Sequence, residues 1–497
     1  MSSLRYICIH GHFYQPEREN PWTGAVPLAK DAYPFHDWNA RITAESYGPN
    51  AWSQIRDANE RVSEVVNNYE HISFNFGPTL LSWLESNSRE VYDAVIAADR
   101  ASQSRFSGHG SAIAQCYNHM IMPLANRRDK MTQTIWGIRD FTHRFGRAPE
   151  GMWLPETAVD LESLEVFAEQ GIKFTILAPR QIAATRPVDE PEWIENRNES
   201  VDPHHPYLVH LPSGRWIAVF VYHGAIARAV AFERLLTNGE RFASRLMTAF
   251  LDDRQHPQLA HIATDGESYG HHHTFGDMAL AYALRVIEKH SDVRLTNYGE
   301  YLHLHPPRHE AQILENTSWS CAHGVERWRS DCGCRLGHPN WNQKWRAPLR
   351  EALDWLREEI NPRFEAVCGK HLQDPWAARN DFIDLLLDPG KDAEKAFFAR
   401  HQAKRMTPSA RAQTLALLRM QRHMMLMYSS CGWFFSDISG VEATMLLQHA
   451  GWVIKQARDP LSIDLLDGFL ERIRAAQSND LEAGDGAAIF WRANPSI

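Results

Sequence analysis

Arg5 to Pro16 reads RYICIHGHFYQP, a short run of mostly apolar residues that leads straight into His10-Gly11-His12. A run with no apolar/polar alternation is what a strand covered on both faces needs, because side chains on either side meet protein rather than water. Six more runs of this kind follow, at His71–Phe76, Ser111–Gln115, Glu150–Leu154, Lys173–Leu177, Trp216–Tyr222 and Ala260–Thr264. Between them lie stretches with helical spacing, among them Trp52–Tyr69, Leu80–Arg100, Lys130–Phe145, Leu161–Gln170, Phe232–Asp252 and Gly276–His290. Alternation of strand and helix predicts a parallel sheet wound by βα units, and seven repeats are enough to close it or nearly so.

The expected fold class is therefore α/β: an incomplete TIM-like (β/α)7 barrel over residues 1–305, then a C-terminal α-helical bundle domain over 346–497. The helical half is read from Ala347–Cys368, Trp376–Leu387, Glu394–Arg405, Ser409–Tyr428, Val441–Ala457 and Ile463–Ala476. A Trp- and Cys-rich segment, 306–345, joins the two and is expected to line the cleft. One connection departs from the pattern. Gln181–Arg215 is long and rich in Pro and charge, which marks it as a candidate lid.

Composition narrows the function. The chain has 497 residues, 44% hydrophobic and 23% charged, so it can build a large core in water. With 52 Lys+Arg against 61 Asp+Glu and no long basic run, the electrostatic term that drives nucleic-acid binding is missing. The longest apolar tract, Met424–Phe435, is interrupted by Ser429, Ser430 and Gly432 and falls short of the ~20 residues that span a bilayer. Only a four-residue apolar stretch precedes His10, too little for a signal-peptide core, and seven cysteines without a secretion signal point to a reducing compartment. The expectation is a soluble cytoplasmic protein with no nucleic-acid or membrane partner, its oligomeric state left open.

In barrels of the expected type, reactive groups sit just past the C-terminal ends of the strands. Here the first strand ends in His10 and His12, the third runs into Gln115 and His119, the fourth ends in Trp153-Leu154-Pro155-Glu156, and the seventh ends in Asp265-Gly266-Glu267, followed by His271, His272 and His273. Two carboxylates at different strand ends are what glycosidic cleavage requires. One attacks the anomeric carbon while the other, with a raised pKa, protonates the leaving oxygen. Glu156 and Asp265 are the chosen pair. Glu267 competes with Asp265, since position alone does not separate them.

Three motifs then carry a resemblance. His10-Gly-His-Phe-Tyr-Gln-Pro16, Gly151-Met-Trp-Leu-Pro-Glu156 and Asp265-Gly-Glu-Ser-Tyr-Gly270 resemble the first, third and fourth conserved regions of glycoside hydrolase family 57, which holds α-amylases, 4-α-glucanotransferases, amylopullulanases and branching enzymes. His109–Leu124 is similar to the second region, although Ala112 stands where an acidic residue is usual. Met425–Phe435 resembles the helical region where branching enzymes carry a serine pair followed by Asp-Trp; Ser429, Ser430 and Trp433 match, while Cys431-Gly432 replaces the Asp. The subgroup most resembled has a C-terminal half of unknown function. The resemblance implies Glu156 as nucleophile and Asp265 as general acid/base of a retaining enzyme acting on α-1,4-glucans by hydrolysis or transfer, with no catalytic cofactor and carboxyl groups about 5–5.5 Å apart. It further implies substrate contacts or orienting roles for His10, His12, His119, Trp153, His272, Trp319, Trp328 and Trp433.

Two other readings stay open at this point. His10, His12, His119 and Asp265 are also the inventory of a metal-dependent hydrolase or deacetylase, in which a divalent ion generates hydroxide. A non-catalytic glucan-binding protein on the same scaffold is the third. Separately, Cys321-x-His323 and Cys332-x-Cys334, with eight residues between them, supply four ligands for one structural zinc, or else form a cluster of small buried thiols.

Overall fold

The structure, a computed structural model, describes residues 5–497. These divide into two compact units, interleaved along the chain rather than set end to end at 305 and 345. The first unit holds the chain up to Gln15, Leu28–Gln115 and Phe141–Glu315; the second holds Pro16–Pro27, Cys116–Asp140 and Asn316–Ile497.

In the first unit, the strand Arg5–Phe13 pairs in parallel with Gln258–Asp265, from Arg5↔Gln258 to His12↔Asp265. Its other edge pairs in parallel with Ser73–Phe76, from His10↔Ser73 to Phe13↔Phe76. Parallel pairing continues through Phe74↔Ala112, then Ala114–Gln115 with Met152–Trp153, Gly151↔Phe174, and Phe174–Leu177 with Trp216–Val221. The seven apolar runs thus lie side by side in the spatial order seven, one, two, three, four, five, six. A backbone hydrogen bond from His223 N to His261 O, 2.9 Å, links the sixth run to the seventh. Two-sided burial explains the uninterrupted hydrophobicity: Ile7, Cys8, Ile9, Val219, Phe220, Leu259 and Ile262 are each at most 1% exposed.

Gln181–Arg215 is not the open loop its composition suggests. It forms strands Ile182–Pro187, Ile194–Glu195 and Tyr207–His210; the first is antiparallel to His309–Ile313 and the last antiparallel to Trp216–Val221. The half-buried alternation of Tyr207–His210 is the period-two signal of a one-sided strand. Proline and charge gather in the turn before Ile194, where the guanidinium of Arg186 covers the Trp193 ring at 4.5 Å.

The second unit is mainly helical, with Arg346–Cys368, Pro375–Asp381, Lys391–His401, Pro408–Leu426, Val441–Leu461 and Leu466–Ile473 near the expected positions. Among the described residues no helix is long and apolar enough to cross a membrane. The excursion Cys116–Asp140 is tied into this unit by a buried ion pair. Arg379 donates to Asp129 at 2.8 Å, to Gln421 Oε1 at 3.1 Å, to the Arg128 carbonyl at 2.9 Å and to Thr132 Oγ1 at 2.9 Å, while Trp136 Nε1 donates to the Arg379 carbonyl. Side-chain exposure is 2% for Arg379 and 4% for Asp129, so removing one partner strands the other charge away from water. Arg379→Met is expected to cost about 3–5 kcal/mol in chemical denaturation, with part recovered by Asp129→Asn on the same background. Arg400→Ala, which removes a half-exposed guanidinium from an Asp381 that keeps Arg139 and His401, should cost under about 1 kcal/mol. Equal effects of the two arginine substitutions would show that the buried pair does not anchor the excursion.

Candidate active site

Alternation along Arg5–Phe13 sends His10 and His12 to the same face of the first strand, where an asparagine from the second strand reaches both. His10 Nε2 lies 3.0 Å from Asn75 Oδ1, and its Nδ1 lies 3.0 Å from Ser73 Oγ. Asn75 Nδ2 donates to His12 Nδ1 at 2.9 Å and to Gln115 Oε1, on the third strand, at 2.8 Å. With the amide so oriented, His10 gives its Nε2 proton to Asn75 and accepts from Ser73, and His12 carries its proton on Nε2. Burial pushes both imidazoles down to about 3, and for His12 the neighbouring His10 adds to the effect, so both are neutral at ordinary pH. Trp153, from the fourth strand, stacks on both rings, at 5.0 Å from His10 and 4.9 Å from His12. Trp153 and His10 are fully buried. Both ring nitrogens of His10 are engaged, which leaves it no lone pair for a metal.

After Trp153 the chain makes an unusual turn. Glu156 and Thr157 both adopt left-handed backbone, with φ of 57° and 51°. Each such non-glycine residue costs on the order of 1–3 kcal/mol and persists only where its surroundings over-determine it. They do so here. Thr157 N donates to the Leu154 carbonyl at 2.8 Å and Ala158 N to the Pro155 carbonyl at 2.9 Å. Gln181, from the turn after the fifth strand, completes the clamp: its Oε1 accepts from Thr157 Oγ1 at 2.8 Å and from Ala178 N at 2.9 Å, and its Nε2 donates to the Thr157 carbonyl at 2.8 Å. Between Gly151 and Asp160 every residue but Glu156 is buried. The turn therefore presents one carboxyl group and hides everything around it.

The seventh strand delivers the other carboxyl groups. Asp265 is the one exposed residue of Gln258–Asp265, yet it is set deep among protein atoms, the situation of a group on the floor of a recess. That depth first, then the negative charges of Glu267 and Glu156, hold its pKa well above the usual carboxylate range. Glu267 turns the other way, into the core, and accepts from Tyr47 Oη at 2.5 Å and from Tyr14 N at 3.3 Å. Burial raises it to about 7 against the pull of those donors and of Gln15. Gly266 separates them because a Cβ there would come within 2.2 Å of the Phe13 ring. Asp265 and Glu267 therefore part in space: one faces solvent, the other a tyrosine hydroxyl.

The remaining expected residues divide between the units. His272 lies exposed in the first, after the Gly270 turn. His119, Trp319, Trp328 and Trp433 belong to the second. There the serine pair holds His119: Ser430 Oγ lies 2.6 Å from its Nδ1, Ser430 N donates to its carbonyl at 2.9 Å, and Met120 bridges to Ser429. Trp328 Nε1 donates to the Ser430 carbonyl and Trp433 Nε1 to the Arg346 carbonyl, both at 3.2 Å, and both rings are fully buried; Trp319 is partly exposed. Nothing in the sequence marks Asn75 and Gln181 as site residues, because their part is to hold other side chains and only the folded contacts reveal it. The group with metal-ligand geometry among the described residues is Cys321, His323, Cys332 and Cys334.

Residues 341–495 match the model of a domain of unknown function, DUF3536. Over 202 residues the sequence is 25% identical to Alpha-amylase 1 of Dictyoglomus thermophilum; the match covers 40% of this chain and 26% of that relative, so the chain spans about a quarter of its length. Two solved structures share the fold: an exo-type maltose-forming amylase from Pyrococcus sp. ST04 (TM-score 0.68, 13% identity, 94% of this chain and 82% of that one) and a branching enzyme from Pyrococcus horikoshii (TM-score 0.58, 14% identity, 99% and 94%). Residues 33–313, more than half of the chain and the part that contains Glu156 and Asp265, match the model for Glycosyl hydrolase family 57, and the chain belongs to that family.

Proposed function

We propose that the chain is a retaining enzyme of α-1,4-glucans, with Glu156 as nucleophile and Asp265 as general acid/base, working at the open end of an incomplete (β/α)7 barrel. The observation that carries this reading is the pairing of a presented carboxyl group on a strained turn with a second one whose proton is retained by depth and by its negative neighbours. In the first step Glu156 attacks the anomeric carbon and Asp265 gives its proton to the leaving oxygen. In the second, Asp265 takes a proton from water or from a sugar hydroxyl, which displaces Glu156. Neutral His12 adds hydrogen-bonding capacity, and neither it nor His10 carries a charge that would draw the proton off Asp265. His12 and His272 are the histidines we assign to sugar contact, with His10 and Trp153 beneath them. The amylase and branching-enzyme relatives support the substrate class. A reducing cytoplasm suits seven cysteines with no disulfide among them.

Azide rescue tests the roles. Asp265→Ala should lose about 10²–10⁴-fold on unactivated maltooligosaccharides and, with azide and an activated α-glucoside, yield the α-glycosyl azide. Glu156→Ala should yield the β-glycosyl azide. Exchange of the two products would reverse the assignment, and a wild type inert on every α-glucan would remove the substrate class.

The pH profile tests the electrostatics. Loss of the Asp265 proton sets the alkaline limb of kcat/KM, and the charge of Glu267 raises that limb. Glu267→Gln removes a like charge, so the limb should move to lower pH. An unmoved or raised limb would show that Glu267 does not act on Asp265.

A further inference from the structure

Asn316 to Trp345 is a long stretch with little regular structure, in which a single helical turn, Glu326–Trp328, breaks an otherwise irregular path. A segment of this length inside a compact unit needs something to hold it. Four ligand atoms converge in it. Cys321 Sγ lies 3.9 Å from Cys332 Sγ and 3.8 Å from Cys334 Sγ, Cys334 Sγ lies 3.6 Å from His323 Nδ1, and all four atoms are within 4.8 Å of one another. With metal–sulfur bonds of about 2.3 Å, the edge of a tetrahedron of thiolates is about 3.8 Å, whereas a disulfide needs about 2.05 Å.

A second, independent observation concerns charge. Arg346 is fully buried, and among the described residues no carboxylate pairs with it. Its neighbours are Cys332 Sγ, 3.8 Å from Nη1, and the Phe435 carbonyl, 3.5 Å from Nη2. A buried guanidinium without a counter-charge is strongly unfavourable. Three thiolates, a neutral imidazole and a divalent cation sum to one negative charge, which is the partner Arg346 lacks. Backbone amides also point at two of the sulfurs, those of His323 and Arg327 at Cys321 and that of Ala322 at Cys334.

We propose that Cys321, His323, Cys332 and Cys334 bind one thiophilic divalent cation, zinc foremost, as a closed structural centre that fixes the Asn316–Trp345 segment. Four protein ligands leave no open coordination position, so the centre holds structure and does not generate hydroxide. Gly333, at φ +80°, lets Cys332 and Cys334 turn toward one point. His323 is exposed, so the cation can exchange with solvent.

The experiment is metal analysis of the full chain purified under reducing conditions, followed by titration of the metal-free protein with cobalt. The expected result is about one zinc per chain, and with cobalt the visible bands of a tetrahedral ion together with a thiolate charge-transfer band in the near ultraviolet. Cys334→Ser should lose both, and removal of the metal should lower Tm. If that variant does not fold, the wild-type cobalt titration decides. His323→Ala, at an exposed position, should weaken binding and alter the spectrum, and an unchanged spectrum overturns the Cys3His set. A wild type that takes up neither metal, or that shows a disulfide among these cysteines by mass spectrometry, overturns the proposal.

Discussion

Like charges brought to one place cannot all ionise, and the first unit brings three carboxyl groups together at the C-terminal ends of its strands. Which of them keeps a proton is decided by the donors each one is given. Glu267 receives a tyrosine hydroxyl, a backbone amide and a glutamine side chain, and these pull it back toward ionisation. Asp265 has no such help: what acts on it is depth and two negative neighbours. The histidines beside them are kept neutral by burial, which outweighs the hydrogen bonds from the asparagine that joins three strands, so no nearby imidazolium upsets that order. The same side chains that pack the strand ends therefore set the proton inventory of the site.

Much of this was legible in the chain. Strands covered on both faces must be apolar throughout, which is why all seven runs could be read and why the residues closing them drew attention. Glu156 and Asp265 stood out because each breaks a buried run. What could not be read is what depends on a second strand. Asn75 looks like any polar residue in Ser73–Phe76, and Gln181 like the start of a loop, until their amides are seen to bridge neighbouring strand ends. The strands Ile182–Pro187 and Tyr207–His210 are hidden in the sequence for a related reason: proline and charge in the turns outweigh the short alternating runs, whose shared partner is more than a hundred residues away at His309–Ile313. The interleaving of the two units is likewise a matter of long-range contact, with no mark in local composition.

The second unit manages charge differently. Arg346, Arg350 and Arg379 are all buried, and their guanidinium groups spread hydrogen bonds over carbonyls, hydroxyls and aromatic faces; Arg350 donates to the Trp328 carbonyl at 2.6 Å and lies 4.4 Å over the Trp433 ring. Five donors in a rigid plane suit arginine to this task, and lysine would satisfy few of those partners. The tryptophans expected to meet sugar, Trp328 and Trp433, are occupied in this packing. Aromatic richness in this chain serves a core built around cations as much as any ligand.

The left-handed turn at Glu156 and Thr157 bears on how such an enzyme can change over time. Glycine adopts that backbone without steric strain, so glycine at Thr157 would relieve strain at the cost of the hydroxyl that Gln181 accepts from. The same change loosens the hold of Gln181, and with it the aim of the carboxyl group one residue earlier. Relief of local backbone strain and the aim of the Glu156 carboxyl are thus set against each other at a single residue. Thr157 holds its place in a conformation that disfavours a β-branched side chain because that side chain is half of the clamp.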